Sequence, residues 1–163
     1  MEFNMELNLA NKLTTKISDW VSDRYLSLQT QGALRNRYLQ TDPYEHYVLD
    51  NFLKPDAFQY LLTNAENTKK EVNSSRMGLS KERPILWGLL QDETAIRFIY
   101  GAEFRNFITT LVGEPARIQK GSLPQLTEFL PGSKGFSMHN DEGEPFDLVF
   151  LLYLKSEGAS SLD

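Results

Sequence analysis

Residues 126–155 read LTEFLPGSKGFSMHNDEGEPFDLVFLLYLK, and the rest of the chain is organised around them. At the centre stand His139 and Asp141, separated by Asn140. In an extended segment residues i and i+2 share a face, so the imidazole and the carboxylate project together while Asn140 points away. Two such donors form two corners of a facial metal site. One more His would complete a 2-His-1-carboxylate triad that leaves positions open on Fe(II). Two residues match this pattern easily by chance, and a His–Asp hydrogen bond at a strand end accounts for HxD taken alone. The apolar run Leu148–Leu154 that follows is expected to be a strand buried on both faces.

Upstream of this stretch, the apolar pattern predicts helices first and strands afterwards. Leu9, Leu13, Ile17, Trp20, Val21, Tyr25 and Leu28 fall at helical spacing over 8–28, which predicts an amphipathic helix packed on its own domain. Gln29–Gly32 is expected to break it. Thr41-Asp42-Pro43 signals a turn, and Tyr44–Phe52 reads as a short strand. Lys54-Pro55-Asp56 opens a helix, with Pro at the first position and an acid in the first turn. Phe58, Leu61, Leu62 and Ala65 are its expected buried face. His46 has no second ligand type near it in sequence and reads as a surface or edge histidine.

Residues 69–83 (KKEVNSSRMGLSKER) read as a long polar loop. Its Arg76 and Arg83 are solvated loop charges that could also reach a carboxylate substrate. Pro84–Leu90 is a short helix or an extended segment. Asp92 is placed to cap a helical region carrying Ile96, Ile99, Tyr100, Phe104, Phe107, Ile108 and Leu111, with a break at Gly101. Gly113 and Pro115 stop it. From Ala116 the period changes to strands, over Ala116–Gln119 and Leu123–Leu130. Helices followed by antiparallel strands indicate an α+β fold.

Composition narrows the function. The 163 residues fit one domain, and 40% apolar and 12% aromatic content marks a globular chain. No apolar run approaches the ~20 residues that cross a bilayer. The start, MEFNMELNLANK, lacks the basic n-region of a secretory signal. With no cysteine, disulfides, zinc–thiolate sites and thiol nucleophiles are excluded. A cytoplasmic protein with no membrane partner is expected. Net charge is −5 with no basic cluster, so a nucleic-acid partner is disfavoured and a small-molecule or peptidyl substrate fits better.

Order and spacing together carry a resemblance. FLPGSKGFSMHND followed by a strand ending YLK resembles the prolyl-hydroxylase-like branch of the 2-oxoglutarate and Fe(II)-dependent oxygenases. In that family a strand leads into a Pro-Gly turn, an aromatic residue precedes HxD by three positions, and the next strand ends in Tyr-Leu. Here these are Pro131-Gly132, Phe136, His139-Asn140-Asp141 and Tyr153-Leu154. YVLDNFLKPDAFQYLL is similar to the family's entry strand and first helix, and FRNFITTLVGEP to the helix-Gly-Pro step before its barrel. The resemblance covers about residues 44–163.

It implies N-terminal helices packed on a double-stranded β-helix (jelly-roll) core: 1–115 would be mainly helical support with an entry strand, and 116–163 the first part of the barrel. It makes His139 and Asp141 iron ligands and gives the Tyr153 hydroxyl a contact with the 2-oxoglutarate carboxylate. Fe(II), 2-oxoglutarate as co-substrate and, as an optional addition, ascorbate are the implied cofactors. No catalytic residue beyond the metal ligands is implied. Asp141 favours hydroxylation of an unactivated C–H bond over halogenation, because halogenating relatives lack this carboxylate. Phe129 departs from the pattern: many members carry a second Tyr there, and Phe has no hydroxyl to offer the co-substrate. An ordinary core aromatic remains an equal account of Tyr153.

The family's distal His, and the Arg or Lys that pairs with 2-oxoglutarate, have no counterpart: neither His nor Arg follows Asp141. The expectation is a barrel of which only the first strands are present. The chain would then be part of a longer protein, a half completed by a dimer or a second chain, or a non-catalytic relative serving as a binding or assembly module. A cupin-like protein with another metal would need a further His or Glu cluster, which the sequence lacks.

Overall fold

A computed structural model of the protein describes residues 13–40, 46–72, 85–116, 123–130 and 149–154. These residues form an α+β fold of helices and one small antiparallel sheet. Helix α1 (Ile17–Trp20) and a 3-10 turn (Asp23–Tyr25) precede α2 (Leu28–Tyr38) and α3 (Pro55–Asn67). Strands β1 (Glu71–Val72) and β2 (Ile85–Leu89) come next, then α4 (Glu93–Ile99), α5 (Ala102–Val112) and β3 (Gln125–Phe129). Among the described residues, no helix is long and apolar enough to cross a membrane.

Local chemistry sets most of the boundaries. Pro55 starts α3 with Asp56 in its first turn, and Ala57, Tyr60 and Leu61 form its buried stripe. That stripe lies slightly to one side of the expected Phe58–Ala65 face. Asp92 caps α4 by accepting the Ala95 backbone N–H at 2.7 Å. Gly101 makes the tight join to α5, where a Cβ would stand 2.8 Å from the Arg97 carbonyl oxygen. Gly113 ends α5 at φ 84°, the left-handed conformation that glycine adopts without steric cost.

The core is aromatic. Trp20 is fully buried, stacked on Phe98 at 4.5 Å and 5° and meeting Tyr60 edge-on. Its indole N–H donates to the Thr14 carbonyl at 2.6 Å, so the polar edge is satisfied. Phe52, Phe104, Phe107 and Leu111 complete this centre. Glu103 on α5 accepts the Ile17 N–H at 2.7 Å, tying α1 to the second half of the helical body. Near the end of α5, the Tyr47 hydroxyl donates to the Leu111 carbonyl at 2.8 Å, and its ring stacks on Tyr38 at 4.8 Å.

Several expectations are corrected. The helix foreseen over 8–28 is, within the described residues, the short α1 and a 3-10 turn; Val21 instead pairs in an isolated bridge with Leu53. The expected break at Gln29–Gly32 lies inside α2. Ser27 nucleates that helix by accepting the Thr30 N–H at 3.0 Å, and its largely polar surface hides it from an apolar periodicity search. Residues 46–52 are not a strand. They lead without regular secondary structure into an Asp50–Asn51 turn, where Asn51 takes φ 47°. The polar 69–83 segment contributes β1, whose Glu71 and Val72 pair with Trp87 and Leu86. Of Pro84–Leu90, Ile85–Leu89 proves extended, as β2. The Thr41–Pro43 turn and most of the Ala116–Gln119 strand lie outside the described residues.

The sheet has the order β1-β2-β3, with Ile85 opposite Phe129 and Leu89 opposite Gln125. It thus joins strands from both sides of the 115/116 division. Continuing the register places Lys70 opposite Gly88. With no side chain at Gly88, Lys70 passes over β2 and meets Glu128 at 2.6 Å. A Cβ at Gly88 would stand 2.8 Å from the Lys69 carbonyl and 3.0 Å from Lys70 Cγ.

Candidate functional site

His139 and Asp141, with Phe136 and Pro131-Gly132, lie outside the described residues, as do Arg76 and Arg83. The structure describes the two approaches to them. β3 leads toward the motif and ends at Phe129, which is 46% exposed and is the register partner of Ile85. Residues 149–154 lead away from it.

The expectation of a strand buried on both faces at 148–154 is not met. Among the described residues, 149–154 pair with no strand. They alternate in exposure: Val149 55%, Leu151 67% and Tyr153 81% on one side, Phe150 44% and Leu152 36% on the other. Alternation is the mark of an extended segment lying with one face on the body. Phe150 meets Phe52 at 5.7 Å and Phe104 at 5.4 Å, both edge-to-face, and Leu154 packs on the core. The physical reason for the difference is pairing. A strand is buried on both faces only between two layers, and here one layer, the helical body, is present among the described residues. Tyr153 therefore holds its ring on the outward face and is not enclosed as a core aromatic.

His46, the chain's other histidine, is exposed beside Tyr47 and Val48, in keeping with a surface histidine. Burial pushes the Tyr47 phenol up to about 12, with Tyr38 adding to the effect and Arg35 opposing it. Tyr60 is also raised, by burial first and then by its hydrogen bond to Asp92.

A second feature was not legible as a motif. Where the C-terminal end of α3 meets the β1–β2 pair, an open cleft of about 810 Å³ is lined by Asn64, Asn67, Thr68, Trp87 and Gln91. Lys69, Glu71 and Asp92 also border it. Lys69 and Glu71 pair at 2.9 Å. Asp92 uses one oxygen on the Ala95 N–H and the other on the Tyr60 hydroxyl at 2.7 Å. Asn64 and Asn67 share a face through their i, i+3 spacing on the last turn of α3, the one trace of this cluster in the sequence. Trp87 and Gln91 join them only through the fold.

No protein-family model, curated protein or solved structure matches the chain.

Proposed function

We propose that the chain belongs to a 2-oxoglutarate- and Fe(II)-dependent dioxygenase that hydroxylates an unactivated C–H bond of a small molecule, amino acid or peptidyl residue. The observation that carries this reading is the ordered spacing Pro131-Gly132, Phe136, His139-x-Asp141, Tyr153-Leu154. The fold is α+β, with β1 and β2 falling between the helices and β3 running toward the motif; the jelly-roll core is part of the proposal.

An imidazole and a carboxylate suit Fe(II), and His139 with Asp141 supply two of the three donors of a facial triad. The third donor has no candidate after Asp141 in this chain. A metal held there would, with 2-oxoglutarate and O₂, supply the oxidation, with succinate and CO₂ as co-products. The protein's own part is orientation. The short spacing of His139 and Asp141 presents both donors from one segment, and the carboxylate of Asp141 favours hydroxylation over halogenation. Tyr153 is the proposed co-substrate contact, and its outward, solvent-facing position leaves the hydroxyl accessible. Phe129 offers no hydroxyl, so a second tyrosyl contact is missing from the co-substrate site. Ascorbate is the further reductant such chemistry would use, and the cytoplasm its setting.

A second reading is favoured by the outward apolar face of 149–154: a binding or assembly module of the same fold, its barrel completed by a dimer or a second chain. One experiment separates the two. Under anaerobic conditions Fe(II) and 2-oxoglutarate binding is measured, then succinate release on admitting O₂. The oxygenase reading expects succinate formation that His139→Ala abolishes. Succinate release unchanged in His139→Ala, or Fe(II) and 2-oxoglutarate binding that His139→Ala does not weaken, leaves the assembly reading in its place.

A further inference from the structure

We propose that the cleft between the end of α3 and the β1–β2 pair binds a neutral polyhydroxylated ligand, a short saccharide. Its volume of about 810 Å³ lies within the range of small-molecule sites. Its chemistry selects the class. The Lys69–Glu71 pair cancels its own charge. Both oxygens of Asp92 are engaged by Ala95 and Tyr60, so this carboxylate serves the fold. The other polar side chains of the lining are the amides of Asn64, Asn67 and Gln91 and the hydroxyl of Thr68.

An amide presents a donor and an acceptor together, as does a sugar hydroxyl, so three amides match vicinal hydroxyls without demanding charge. Asn64 Nδ2 donates to the Tyr60 carbonyl at 2.9 Å, which fixes the orientation of that amide. Thr68 Oγ1 donates to the Asn64 carbonyl at 2.7 Å, which leaves its lone pairs to accept. The end of α3 adds the partial negative charge of its last carbonyls, which favours hydroxyl donors and disfavours anions. Trp87, with Leu89 two residues on and on the same face of β2, supplies the apolar surface against which the C–H faces of a pyranose pack.

This site stands independently of the oxygenase reading, since Tyr153 is not among its lining residues and no metal enters the argument. The test uses the full chain, ¹⁵N-labelled, titrated with maltotriose, cellotriose, mannotriose and galactotriose. The expected result is saturable millimolar binding of at least one, with shifts at the Asn64, Asn67 and Gln91 side-chain amides and the Trp87 indole N–H. The double variant Asn67→Ala/Gln91→Ala changes two exposed positions and leaves the core untouched. It should weaken binding by about tenfold or more, the scale of one or two lost hydrogen bonds. Trp87→Phe should weaken it too, while Trp20, buried in the core, reports an intact fold. Absence of response to all four trisaccharides overturns the proposal. So does undiminished binding by the double variant.

Discussion

The helical body and the 149–154 segment use the same side chains to opposite ends. In the body, Leu61, Phe98, Phe104 and Phe107 are 3–5% exposed and Trp20 is wholly enclosed. In the segment, Leu151 is 67% exposed, and Phe150 is 44% exposed although it touches two core rings. Hydrophobicity is, if anything, denser in the segment. What differs, among the described residues, is the number of layers: body side chains sit between elements that close on each other, whereas the segment has the body on one side only. Burial belongs to the pair of surfaces, and a run such as LVFLLYL states only that a second surface is called for. An apolar face of this kind, left open, is a site of association.

The largest effect should come from the centre of the body. Trp20→Ala removes the stack on Phe98 and the edge contact with Tyr60, and strands the Thr14 carbonyl that its indole satisfied. A loss of about 3–5 kcal/mol is expected, the range of large-to-small aromatic substitutions in cores. Chemical denaturation checks it. A loss below about 1 kcal/mol would mean that the two halves of the body do not meet through this ring.

How much could be read beforehand follows the same division. Wherever one residue type settles a local conformation, the sequence was informative: Pro55 opening α3, Asp92 capping α4, Gly101 joining two helices, Gly113 stopping α5. α2 escaped because its signal is a cap at Ser27, while its buried position is polar: Gln31 donates to the Tyr25 and Leu26 carbonyls in place of an apolar contact. β1 escaped because Glu71 and Val72 pair with β2 with little apolar content of their own. Of the candidate iron site, the sequence carries His139 and Asp141, and the structure adds where Phe129 and Tyr153 stand on either side. The amide cleft could not be read, because Asn64 is distant in sequence from Trp87 and Gln91 and only the fold brings them to one cleft.

Alkaline titration should sharpen the contrast next, because the raised tyrosines all belong to the body. Tyr47 ionises at about 12 in the folded protein against an ordinary 10.0, and Tyr25 and Tyr60 are also raised. For an acid raised on folding, both states are neutral below the unfolded value and stability is unaffected there. Above it the unfolded chain loses the proton first, so stability falls as pH climbs from about 10 toward 12. Melting temperatures across that window should drop steeply in the native chain and less steeply in Tyr47→Phe, with Tyr25 and Tyr60 supplying the rest. Equal slopes in the two proteins would remove Tyr47 from this account.

A smaller effect of opposite sign tests α2. Gly32 lies in its interior with a right-handed backbone, and a Cβ added there would meet nothing within 4 Å. Gly32→Ala should stabilise by about 0.5–1 kcal/mol, since alanine loses less backbone freedom in a helix. Destabilisation would show that residues 29–32 interrupt the helix after all.

The smallest effect is the most instructive. Leu151 and Leu61 are the same residue, 67% and 4% exposed. Leu61→Ala should cost about 2–5 kcal/mol, whereas Leu151→Ala should stay within about 0.5 kcal/mol, as at other exposed positions. Measured in parallel at several protein concentrations, the pair reads coverage directly. If Leu151→Ala costs about 1.5 kcal/mol or more and the cost grows with concentration, the outward face of 149–154 is buried between copies in solution. A large cost independent of concentration instead means that the same chain folds over it. A negligible cost at every concentration leaves Val149, Leu151 and Tyr153 open to solvent, where an assembly partner or a co-substrate can reach them.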